Sequence, residues 1–175
     1  MADATAPPLT IQGYDLVRWA LGIFFPDPVT GTEHLMAQAR PGGRAALTIW
    51  RRGAIEPVGR HLPAALLPWE PHPVDWAQAQ QDAAISRIDT LPTFAQWLGA
   101  RGLHRVLVHT HSHTADPPAT VAWDLVIGSG FRALLEGLNP AQVDRVRQAS
   151  LQELAAHGVD WIDATTLIGT GRTTP

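Results

Sequence analysis

The chain has 175 residues, 45% of them hydrophobic, a formal net charge of -3 and no cysteine. That suits a single domain over 1–175 with a sizeable core; it argues against a nucleic-acid partner, which needs a basic surface, and it excludes disulfides and thiolate chemistry. All 13 basic residues are arginine, so a Schiff-base lysine is excluded as well. No leader and no membrane-length apolar run is seen, which places the expected chain in the cytoplasm.

Residues 1–13, with Pro7-Pro8, read as a loop. Leu16-Val17 and the apolar run 21–25, bounded by Gly22 and Pro26, predict a strand over 15–25. Asp27 suits the cap of a helix that Pro28 starts, since proline at the first helical position loses no needed N–H. Leu35, Met36 and Ala39 give that helix an apolar stripe. Pro41-Gly42-Gly43 predicts a turn, and 44–50 a strand whose continuous apolar run suits cover on both faces. Strand, helix, strand in this order makes a right-handed crossover in a parallel sheet.

Residues 51–89 are rich in proline and least regular, with short helices expected over 60–67 and 74–84. Such a segment is either a pocket cover beyond a strand end or a plain connector. A helix is expected over 93–100, with Phe94, Trp97 and Leu98 on one side and Gly99 and Gly102 as stops. A strand follows over 106–113. Residues 118–138 read as helical with a break at Gly128-Ser129-Gly130. Residues 140–157 read as a helix capped by Asn139 and ended by Gly158, with Val143, Val146, Ala149 and Leu154 inward. The last strand is expected over 161–170, and the whole is an α/β chain.

The stretch YDLV…ALGIFFPDP…RPGGRAALTIW, within 14–50, resembles the middle of a class I S-adenosylmethionine-dependent methyltransferase. It is similar to that family's strand four, the helix after it, and strand five with its RPGG turn. Residues 2–7 resemble the loop after strand three, where Asp3 would contact the adenine, and Thr170 to Arg172 (TGR) resemble the end of the final strand. The resemblance implies half of a Rossmann-like methyltransferase sheet, strands four to seven, in the order four, five, seven, six with the last strand antiparallel. The family's first strand and glycine-rich cofactor loop would precede Asp3. The resemblance therefore implies a truncated domain completed by a partner chain along the 15–25 strand, because the family's first strand pairs with strand four. It also implies that the isolated chain binds no cofactor and that S-adenosylmethionine enters only in the complex.

Several groups could carry chemistry. His109, His111 and His113 alternate, which puts them on one strand face spanning ~13 Å. Two could share a metal and three could not converge, so no metal site is expected there; a pocket wall with His111 as base, or plain surface histidines, are the other readings. In the resemblance Arg18-Trp19 sits just past strand four. Arg18 suits an anionic group, because its fork donates two parallel hydrogen bonds, or it pairs with a carboxylate while Trp19 packs. Trp50, Arg51, Arg52, Glu56, Arg60 and His61 follow the second strand, where ligands gather in parallel sheets. His61 suits a general base, with Glu56 orienting it or pairing with Arg60; a solvated salt-bridge set is the alternative. Trp19, Trp50 and Trp123 are expected as pocket wall.

The resemblance implies a subunit of a heteromeric methyltransferase-like enzyme of bacterial specialised metabolism, as in antibiotic biosynthesis. It would supply the acceptor half of the site. Two alternatives stay open. One is a repurposed subunit for ring closure with an anionic leaving group, for example aziridine formation. The other is a non-catalytic stabilising partner.

Overall fold

The computed structural model describes residues 13–21, 28–69, 87–115 and 118–175. In chain order the elements are β1 (Tyr14–Ala20), α1 (Pro28–Ala37), β2 (Ala39–Trp50), α2 (Glu56–Leu66), α3 (Leu91–Gly99), β3 (His104–His111), β4 (Thr114–Ala115), α4 (Pro118–Gly128), a 3-10 helix (Gly130–Leu135), α5 (Pro140–Ala156), β5 (Ile162–Asp163) and β6 (Thr166–Arg172). They fall into two units. A sheet unit takes Met1–Arg52, Ala84–His111 and Thr165–Pro175; a helical unit takes Gly53–Ala83 and Ser112–Ala164.

The sheet unit holds four strands in the order β1-β2-β6-β3. β1 runs parallel to β2, and β6 runs antiparallel to both of its neighbours. This is the order four, five, seven, six with an antiparallel last strand that the resemblance implies. Alternation sorts the side chains. Val17, Ala45, Leu47, Ile49 and Leu167 share a face and pack in one buried cluster with Met36 of α1 and Phe94 and Leu98 of α3. Both helices of the unit therefore lie on that one face.

The second face is read off the pairing. Arg18, Ala46, Thr170 and Leu107 form one row across the sheet; Ala20, Thr48, Ile168 and His109 form the next; Trp50, Thr166 and His111 form a third. Neither described helix of the unit packs on this face, although Thr166 on it is buried. Leu107 is 71% exposed and Leu16 54%. The expectation that β2 is covered on both faces is thereby corrected: Ala45, Leu47 and Ile49 are buried, while Ala46, Thr48 and Trp50 are half-buried. A run of small and apolar residues does not separate one-sided from two-sided cover.

Gly169 of β6 shows how tightly the covered face is packed. A Cβ there would lie 2.3 Å from Leu98 Cδ1 and 2.9 Å from the Phe94 ring. Gly169→Ala is expected to destabilise by ~1–3 kcal/mol through overpacking, read as a lower urea midpoint at unchanged slope.

Several expected boundaries shift. β1 ends at Ala20, where Leu21 turns into the left-handed region at φ 54; residues 22–25, the Asp27 cap and the helix over 74–84 lie outside the described residues. Ala39 begins β2 instead of extending the helix stripe. Pro41-Gly42-Gly43 is no turn but an irregularity inside β2, where the register shifts between Tyr14 and Leu16. The strand continues because its backbone stays bonded: Gly42 N–H donates to Thr174 O at 3.0 Å, and Gly43 O accepts from Thr173 N–H at 3.0 Å. The strand expected over 161–170 is two strands. Ala164 N–H donates to His113 O in the helical unit at 2.9 Å, and Thr165 O accepts from Arg51 N–H in the sheet unit at 3.0 Å.

In the helical unit, Val58 and Leu62 of α2, Trp123 and Val126 of α4, Val146 and Leu154 of α5, and Ile162 of β5 form one buried cluster. β4 and β5 pair antiparallel. α5 opens with the predicted Asn139 cap. Asn139 Oδ1 accepts from Gln142 N–H at 3.0 Å, and Gln142 Oε1 accepts from Asn139 N–H at 2.8 Å. This capping box satisfies two orphan donors of the first turn. The break at Gly128-Ser129-Gly130 is also present, with Ser129 starting the 3-10 helix by accepting from Phe131 N–H. Among the described residues no helix is long and apolar enough to cross a membrane.

Candidate functional site

In open α/β sheets ligands bind beyond the C-terminal strand ends. β2 ends at Trp50 and β3, parallel to it, ends at His111. Both pair with Thr166 of β6, so they flank it on the second face, roughly 10 Å apart at two strand spacings. Arg18 lies on the same face of β1 and is exposed. These three of the expected site residues are thus placed on one face by strand register.

Trp19 is not with them. Successive strand residues point to opposite faces, and a Cβ on Gly31 of α1 would lie 2.7 Å from its ring. Trp19 therefore packs the helix-covered face, where glycine at position 31 makes room for it. Arg51 is exposed just past β2. Arg52 makes a two-pronged ion pair with Asp89, Nε and Nη2 donating to Oδ1 at 3.0 and 2.7 Å. That pairing, across the least regular part of the chain, left no local sequence signal. His109 and His111 lie in β3, while His113 falls beyond its end; all three are exposed.

The other expected residues belong to the helical unit. Glu56 and Arg60 pair along α2 at i,i+4; both are exposed, so the pair contributes little. Beside them His61 faces His157, ring centroids 4.4 Å apart. Burial, then the neighbouring His157 and Arg60, push the His61 pKa below its ordinary 6.5, opposed by Glu153. Trp123 is 8% exposed and belongs to the core cluster. His157 and Glu153 were not singled out from sequence. The i,i+4 spacing of Glu153 and His157 was the available signal, and it became meaningful only with His61 beside it.

A depression of about 360 Å³ is lined by Asp15, Leu16, Arg40, Gly42, Arg44 and Arg172. It lies at the N-terminal ends of β1 and β2, away from the edge that gathers ligands, and Arg40 already pairs with Asp15.

S-adenosylmethionine, implied by the resemblance, is not matched by the described residues. Grip on such a nucleoside comes from a glycine-rich loop at a helix N-terminus and an acidic residue on the ribose. The β2–α2 connection offers one glycine, Gly53, and Ile55 as an N-cap without a side-chain hydrogen bond. Its first helical residue, Glu56, is an acid already paired with Arg60. Asp3 lies outside the described residues.

No protein-family model matches the sequence, and no curated protein matches it. Solved structures do match in fold. The chain is similar to the MccD protein at TM-score 0.51 and 13% identity, over 99% of this chain and 66% of that one. It is similar to the [4+2]-cyclase SpnF at TM-score 0.50 and 12% identity, over 99% of this chain and 56% of that one. Phosphoethanolamine N-methyltransferase 2 of Haemonchus contortus, in complex with phosphomonomethylethanolamine and S-adenosylhomocysteine, matches at TM-score 0.47 and 10% identity, over 99% of this chain and 36% of that one. The chain thus spans between about a third and two thirds of the length of these proteins. Strand order β1-β2-β6-β3, the antiparallel β6 and these fold matches agree: the chain has a class I methyltransferase-like α/β fold.

Proposed function

We propose that this chain is the acceptor-side subunit of a heteromeric, cytoplasmic methyltransferase-like enzyme of bacterial specialised metabolism. A second polypeptide pairs with β1 and covers the second face of the sheet. One observation carries the reading: β1 pairs only with β2 among the described strands, and neither helix of its unit covers the face that bears Leu16 and Leu107. Proteins avoid leaving such an edge and face bare. On this reading Arg18, Trp50, Arg51 and His111 bind the acceptor, Arg18 through its anionic part and Trp50 through its apolar part, with His111 as the base. Glu56, Arg60, His61 and Trp123 belong to the helical unit and form a separate group.

The partner brings the glycine-rich half, and methyl transfer follows only with it. A repurposed subunit for displacement of an anionic leaving group is the second reading. The exposed Arg18 fork suits such a group, and SpnF, a cyclase, has a similar fold; fold alone does not decide the reaction.

Calorimetry and sedimentation of the lone chain test the proposal. The expected result is no S-adenosylmethionine binding at micromolar concentration and self-association or poor solubility, both relieved by coexpression with the partner. A monodisperse lone chain that binds the cofactor would refute it.

A further inference from the structure

The helical unit carries a group of side chains outside the proposed acceptor site. His61, Glu153 and His157 each offer one ligand atom, and the three atoms lie within 4.8 Å of one another. We propose that these residues bind a divalent transition-metal ion of the zinc class.

The donor set is right for such an ion. Zinc takes imidazole nitrogen and carboxylate oxygen at ~2.0–2.2 Å, which puts tetrahedral ligand atoms roughly 3.3 Å apart. Two imidazoles and a carboxylate leave a fourth position open. His157 is exposed and His61 and Glu153 half-buried, so water can reach that position.

The placement is rigid. Glu153 lies in the last turn of α5 and His157 is its C-cap residue, four positions on, where i,i+4 side chains meet. His61 comes from α2, and the two helices are held together by Val58, Leu62, Val146 and Leu154 in one buried cluster. His157 Nδ1 lies 2.8 Å from the backbone oxygen of Glu153. Glu153 Oε2 lies 3.7 Å from the same Nδ1, so this nitrogen faces both the helix-end carbonyl and the carboxylate.

The electrostatics agree. Arg60, the nearest competing cation, is tied to Glu56. Glu153 and His157 lie at the C-terminal end of α5, where the helix dipole favours positive charge. Two facing imidazoles, with ring centroids 4.4 Å apart, are unfavourable if both are protonated and favourable around a cation. His109 and His111 of β3 are not part of this site.

Titration of the metal-stripped full chain with cobalt(II) chloride, followed by displacement with zinc chloride, tests the proposal. The expected result is one equivalent of cobalt with the intense visible bands of a four-coordinate ion, quenched by zinc. A rise in Tm with zinc should accompany it, because an ion that binds only the folded chain stabilises it. His157→Ala is exposed and should fold normally while losing the bands; His61→Gln should do the same, and Glu153→Gln should weaken binding by about tenfold or more. His109→Ala should leave the bands unchanged. No bands in the wild-type chain, or bands that survive both His61→Gln and His157→Ala, would overturn the proposal. Far-ultraviolet dichroism of each variant distinguishes a lost ligand from a lost fold.

Discussion

Phe94→Ala will cost the sheet unit about 3–5 kcal/mol, the usual range for removing a fully buried phenylalanine. Phe94 is fully buried and sits in the cluster that joins α3 to β2 and β6. It stacks against Trp97 with ring centroids 6.2 Å apart, and such a pair adds ~0.5–1.5 kcal/mol beyond its area. Its ring also closes on Gly169, so no neighbouring side chain stands ready to fill the hole. A domain margin is ~5–15 kcal/mol, hence the variant loses about a fifth or more of it. Urea unfolding monitored by tryptophan fluorescence will show the midpoint fall. A loss under about 1 kcal/mol would mean that α3 does not anchor this sheet.

On the proposed assembly, Leu16→Arg will abolish binding of the partner while leaving the chain's own fold intact. Leu16 is 54% exposed, so an arginine there costs the lone chain little. In an assembled seam the same arginine would be buried next to Arg44, its pairing neighbour on β2, without a counter-ion. Breaking or leaving uncompensated a buried charge costs ~3–5 kcal/mol, which is a factor of roughly one hundred to several thousand in affinity at ~1.4 kcal/mol per decade. Coexpression followed by size exclusion reads the outcome, with circular dichroism of the variant as the control. An intact complex would place the seam elsewhere than on the second face of β1.

Much of the sheet was legible in the sequence because its strands are separated by well-marked helices. β1, β2, β3 and β6 each carry a short apolar run, and Asn139 and Gly128-Ser129-Gly130 mark helix boundaries through local chemistry. Boundaries failed where a distant partner decides. Pro41-Gly42-Gly43 looks like a turn, yet bonds to Thr173 and Thr174 hold it in the strand. Residues 161–170 look like one strand, yet Ala164 and Thr165 bond into different units. The site was partly legible. Trp50 and His111 end two strands of one sheet edge, but Trp19 turns to the other face because neighbouring strand residues must. The meeting of His61 with Glu153 and His157 depends on α2 packing on α5, which no local pattern announces.

Strand β6 is hydrogen-bonded between β2 and β3, although every other described element precedes it in the chain. During synthesis β2 and β3 therefore emerge with their facing edges unpaired, and they stay so until residues 166–172 leave the ribosome. Long-range pairing of this kind folds slowly and exposes strand edges on the way. A nascent chain of this protein will need chaperone protection longer than its size suggests, and an early stop before residue 166 will release a fragment with two open edges that is prone to aggregate.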